Sequence, residues 1–166
     1  MNKVLKGLVA VVSTAAMAIA GFAGAASATA ADNYSITITP AKAGHVYEAY
    51  QVFTGNLDAG TGVLGNVTWG TGIDQDKLSD EGVSSLIKGK TAAEVSEALA
   101  QKSDNSADAK AYAKAFGGVL STTHTDSGAF DTTNSAYTIS GLAAGYYLIQ
   151  DKAGSVTGDD SYTSSF

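Results

Sequence analysis

The residue of this chain whose setting most invites chemistry is Asp151. In Tyr147-Leu148-Ile149-Gln150-Asp151 the first, third and fifth residues share one face at the period of two that a strand imposes. If Tyr147 and Ile149 face a core, the carboxyl group follows them inward, and burial pushes a carboxyl toward its neutral, hydrogen-bond-donating form. The alternative is a strand-end aspartate that turns out to water beside Lys152. The two histidines are His45, at the start of an aromatic-rich run, and His124, in the polar stretch 121–128. Neither has a ligand-like partner at metal spacing, so both read as satisfied or solvated side chains. Asp159-Asp160 lacks the further spaced oxygens of a calcium loop, and Asn66-Val67-Thr68 reads as a turn signal rather than a glycan acceptor. No G-x-S-x-G, no H-E-x-x-H and no glycine-rich loop opening a helix occurs, so no nucleophile–base pair supports a hydrolase. No cofactor is expected.

The chain that must position these residues starts with an export signal. Lys3 and Lys6 precede an apolar stretch from Leu8 to Ala23, and small residues in the A-x-A pattern follow at Ala26-Ser27-Ala28 and Ala28-Thr29-Ala30. Residues 1–30 therefore read as a secretory signal peptide with cleavage after Ala28 or Ala30, and residues 31–166 as one exported domain. That segment removes two lysines and no acid, leaving eight lysines against sixteen acidic residues, a formal charge of −8. An acidic chain without arginine has no electrostatic footprint for nucleic acid. There is no cysteine, so an extracellular fold must hold together by its core or by another crosslink.

Three early strands are expected. Tyr34 to Thr39 alternates apolar and polar residues, His45 to Phe53 is rich in aromatics, and Val63 to Trp69 is bounded by glycines. The period then changes to 3.6. Thr91-Ala92-Ala93-Glu94 is a capping box opening one helix, and Ala109, Tyr112, Ala113, Phe116 and Leu120 form the apolar stripe of a second over 107–120. A further helical turn or two is expected between Asp76 and Ile87. Tyr137 to Ser140 and Tyr146 to Gln150 read as a hairpin whose connection uses Gly141 and Gly145 for positive φ. Ser161 to Phe166 reads as a third strand beginning.

Taken together, His45-Val46-Tyr47-Glu48-Ala49-Tyr50-Gln51-Val52-Phe53-Thr54-Gly55, Leu64-Gly65-Asn66-Val67-Thr68-Trp69-Gly70, the stretch Tyr137 to Asp151 and Gly154-Ser155-Val156-Thr157-Gly158-Asp159-Asp160 resemble the first domain of sortase-assembled major pilins of Gram-positive bacteria. The resemblance spans essentially all of residues 31–166. It implies a mainly β, immunoglobulin-like β-sandwich with an α-helical insertion, its last strand or strands truncated. It further implies a non-enzymatic subunit of a covalent cell-surface fibre, with other pilin subunits and a pilin-specific sortase as partners and the cell wall as destination. The family's pilin-motif lysine and sorting signal do not occur in this sequence, so the chain is expected to be an N-terminal fragment, or a truncated gene product, of a longer pilin.

The resemblance also implies an autocatalytic Lys–Asn or Lys–Asp amide bond inside some domains, assisted by a buried acid. Asp151 falls where that acid is kept. The lysine belongs in phase with Ile36 and Ile38, where this chain has Pro40, and Lys42 is the nearest candidate but offset. An internal amide bond is therefore not expected in this domain. The competing reading is a tip adhesin for a glycan or a host matrix protein, with Tyr47, Tyr50, Trp69, Tyr146 and Tyr147 as a stacking platform; aromatics at strand spacing favour a core.

Overall fold

The computed structural model describes residues 11–12, 15–16, 34–39, 41–58, 64–102 and 107–152. Ala28 and Ala30, Pro40, the Asp159-Asp160 pair and the strand expected from Ser161 lie outside the described residues. The strands are β1 (Val11–Val12), β2 (Ala15–Ala16), β3 (Tyr34–Ile38), β4 (Tyr47–Leu57), β5 (Leu64–Trp69), β6 (Thr125–Asp126), β7 (Tyr137–Leu142) and β8 (Gly145–Asp151). A 3-10 turn at Gln75–Ser79 and two helices, α1 (Ala92–Ala100) and α2 (Ala107–Gly117), fall between β5 and β6. The fold is thus mainly β, with antiparallel sheets and two short helices. Among the described residues no helix is long and apolar enough to cross a membrane.

β4 organises the molecule. On one edge it pairs antiparallel with β8 from Tyr47↔Asp151 to Thr54↔Gly145; on the other it pairs with β5 through Phe53 to Leu57 and with β6 at Glu48 and Ala49. β3 and β7 form a separate two-stranded sheet, and β1 pairs with β2. Ile36, Ile38, Tyr137 and Ile139 from that smaller sheet bury against Tyr47, Ala49, Tyr147 and Ile149 of the larger one. The opposite side of the larger sheet, with Tyr50, Val52, Phe53 and Leu148, packs on Val95, Leu99, Tyr112 and Phe116 of the helices. Phe116 meets Phe53 edge-on at 5.7 Å between centroids, a favoured aromatic geometry.

The larger sheet is therefore covered on both faces. That is why the aromatic run of β4 and the Tyr-Tyr-Leu-Ile of β8 do not alternate with polar residues. β7 differs, because Tyr137 and Ile139 are buried while Thr138 and Ser140 face water. This contrast corrects the expected hairpin. β7 pairs with β3 and β8 with β4, so the connection 143–144 carries the chain from one sheet to the other. Gly141 does adopt positive φ, at 73°, whereas Gly145 is needed for space: a Cβ there would stand 2.6 Å from the Phe53 carbonyl oxygen. Asn66, within β5, takes φ 49°, close to the register shift between Thr54 and Asn56. The turn expected there is thus an irregularity inside a strand, a backbone state asparagine tolerates.

The helical insertion follows its local signals. The Thr91 amide donates to Glu94 Oε2 at 2.8 Å and the Glu94 amide donates to Thr91 Oγ1 at 3.3 Å, closing the capping box. α2 stops at Gly117, and the chain beyond it forms an isolated bridge, Leu120 to Ile73. Between Asp76 and Ile87 only the 3-10 turn at 75–79 is helical.

Candidate functional site

Two clusters of ionisable side chains lie at the same end of the larger sheet, on opposite faces of β4. The first is buried. Asp151 ends β8 on the face of Tyr147 and Ile149 and is only 5% exposed, while His45, just before β4, is 4% exposed. His45 Nδ1 stands 2.7 Å from Asp151 Oδ2. Either the imidazole donates to an ionised carboxylate or the protonated carboxyl donates to a neutral imidazole; both arrangements place one proton in a short, water-free contact. Aromatic side chains surround the pair. The imidazole stacks on Tyr47 at 5.6 Å and 13°, Tyr137 meets Tyr47 edge-on, and the His45 amide donates to the Tyr137 hydroxyl oxygen at 3.0 Å.

Lys42, the candidate amine for an amide bond, is exposed in the stretch leading to the turn at Ala43–Gly44. The chemistry demands a neutral amine in a dry core, beside the acid that polarises its electrophile. Asp151 has that setting and Lys42 does not.

The second cluster is at the surface. Glu48 is the direct cross-strand partner of Asp126, and His124 lies two residues before Asp126. His124 Nε2 is 3.5 Å from Glu48 Oε1 and 3.3 Å from Asp126 Oδ1. Lys152 Nζ approaches Glu48 Oε1 at 3.6 Å and Asp126 Oδ2 at 3.9 Å. The Tyr50 hydroxyl donates to Glu48 Oε2 at 2.8 Å. Burial first, then this hydrogen bond and the charges of Glu48 and Asp126, push the Tyr50 phenol well above its ordinary range.

Both histidines read from the sequence as satisfied or solvated side chains, and the structure sets His124 beside the carboxylates of Glu48 and Asp126. His124 and Asp126 sit at strand spacing, a signal present in the sequence, but Glu48 reaches them only through the β4–β6 pairing. The proposed aromatic platform is not displayed: Tyr47, Tyr50 and Tyr147 are buried, and Trp69 and Tyr146 pack against the helix-side core around Phe53.

Comparison of the chain with protein-family models, with curated proteins and with solved structures returned no match.

Proposed function

We propose that residues 31–166 form the first, immunoglobulin-like domain of a shaft subunit in a sortase-assembled, covalently polymerised fibre on the surface of a Gram-positive bacterium. The observation that carries this reading is the buried carboxyl of Asp151, held between two antiparallel sheets where the sequence resemblance places the acid that assists amide-bond formation. In this domain the acid is engaged by His45, so the interior is held by an imidazole–carboxyl contact. The burial of Tyr47, Tyr50 and Tyr147 in the core supports a structural role over a glycan-binding one.

Cell-wall extracts of the producing bacterium, separated on a denaturing gel and probed with an antibody against residues 31–166, test the reading. A ladder of covalent polymers is expected, and a single monomeric band would overturn it. The mass of the intact chain provides a second check. The unmodified mass is expected, and loss of water or ammonia would reveal an internal amide bond.

A further inference from the structure

We propose that Glu48, His124 and Asp126 form a binding site for a divalent transition-metal cation of the zinc type. The three side chains offer one imidazole nitrogen and two carboxylate oxygens, all within 4.8 Å of one another. Ligand atoms about 2.0–2.2 Å from a tetrahedral zinc stand about 3.3–3.5 Å apart. The separations of His124 Nε2 from Asp126 Oδ1 and Glu48 Oε1, 3.3 and 3.5 Å, match such edges. They are too wide for charge-assisted hydrogen bonds, which close to about 2.7–2.9 Å. The molecule supplies its own contrast, since the buried His45–Asp151 pair closes to 2.7 Å.

The surroundings prepare the ligands. The Tyr50 hydroxyl fixes Glu48 through Oε2, leaving Oε1 toward His124, which is the outer-shell support that orients metal-binding carboxylates. The Tyr50 ring lies 5.1 Å from the imidazole centroid and limits its rotation. Glu48 is only 9% exposed, and its backbone is fixed in the centre of the sheet. Two carboxylates and a neutral imidazole carry a double negative charge, which a divalent cation neutralises. The Lys152 ammonium sits beside both carboxylates, but on a flexible, half-exposed stem that a metal ion can displace. An imidazole among three ligands selects zinc-like ions over calcium, which takes six to eight oxygens. Water completes the coordination, as in sites with three protein ligands.

Calorimetric titration of the metal-stripped, tag-free chain with zinc chloride tests the proposal. Saturable binding of one equivalent is expected, undisturbed by excess calcium and accompanied by a rise in melting temperature. His124→Ala and Asp126→Asn, both at exposed positions, are expected to weaken binding by more than about tenfold and Tyr50→Phe by about tenfold, while Lys152→Met strengthens it. Circular dichroism confirms that each variant is folded. His45, the one other histidine, is buried against Asp151, so binding that survives His124→Ala at parental affinity overturns the proposal. Heat that never saturates at one equivalent, or equal competition by calcium, overturns it as well.

Discussion

Replacing Asp151 with alanine removes one half of a contact whose two side chains are 1% and 2% exposed. The His45 Nδ1 then loses its 2.7 Å partner at a site shielded from solvent. An unsatisfied buried polar group costs about 1–3 kcal/mol, and breaking a buried ion pair about 3–5 kcal/mol. The expected loss is therefore about 3 kcal/mol, since the Tyr47 and Tyr137 rings close over the site. With a urea m-value near ~2 kcal/mol/M for a domain of this size, the unfolding midpoint falls by about 1.5 M. His45→Phe is expected to give a similar loss by removing the 2.7 Å partner of the Asp151 carboxyl group. The double variant His45→Phe/Asp151→Leu removes both polar groups, keeps a ring on Tyr47 and is expected within about 1 kcal/mol of the parent, a coupling of several kcal/mol. Urea unfolding followed by circular dichroism measures all four chains. The reasoning is refuted if Asp151→Ala costs less than about 1 kcal/mol, or if the losses of the two single variants simply add.

Phe116→Ala deletes a fully buried ring that touches Phe53, Trp69 and Tyr112, and a loss of about 3–5 kcal/mol is expected in the same unfolding assay. Gly145→Ala forces a Cβ against the Phe53 carbonyl at 2.6 Å and is expected to cost about 1–3 kcal/mol; at Gly128 the nearest atom is 3.4 Å away, so Gly128→Ala should cost under about 1 kcal/mol by thermal melting. Thr91→Ala removes the cap of α1 and is expected to cost about 1 kcal/mol at neutral pH. The backbone hydrogen bond from Thr91, then its hydroxyl, holds the Glu94 carboxyl below its ordinary value of 4.5. A carboxyl depressed in the folded state stabilises above its ordinary value and stops doing so as pH falls through the depressed one. The gap between parent and Thr91→Ala should therefore narrow below pH 4.5, and a gap that widens there would contradict the capping-box assignment.

What the sequence disclosed was local. β3, β5 and the capped start of α1 follow from alternation, glycine boundaries and a four-residue capping box, each complete within a few neighbours. Strand pairing is not written that way. The apolar faces of Tyr137-Ile139 and Tyr147-Ile149 show that both strands bury side chains, and a tight hairpin and a crossover between sheets satisfy that pattern equally. What distinguishes them is the water-facing Thr138 and Ser140 of β7 against the doubly covered β8, a difference that depends on the helices lying over Leu148. The strand phase that turns Asp151 inward was legible, but not the imidazole it meets. His124 and Asp126, two of the three members of their cluster, stand at spacing two, and Glu48 lay hidden inside an apolar-looking strand.

A strand covered on both faces can admit charge only near its ends, and β4 does so at one end alone. From Val52 onward a register shift lets Val52 and Phe53 both enter the helix-side core, and that half of the strand carries no ionisable side chain up to Leu57. At the other end, strand alternation divides the charge between two environments. Tyr47 pairs with Asp151 and faces the smaller sheet; Glu48 pairs with Asp126 and shares a face with Tyr50. Asp151 and Lys152 extend the same alternation. The first turns inward to His45 in a dry contact, and the second turns outward to the carboxylates of Glu48 and Asp126. Two successive residues thus serve opposite faces of one sheet, and the Lys152 amide, donating to the Val46 carbonyl at 2.7 Å, fixes the register that keeps them apart. A slip of one residue there would exchange their faces, placing an ammonium in the aromatic pocket and a third carboxylate beside Glu48, so the charge pattern itself specifies the pairing of β4 with β8.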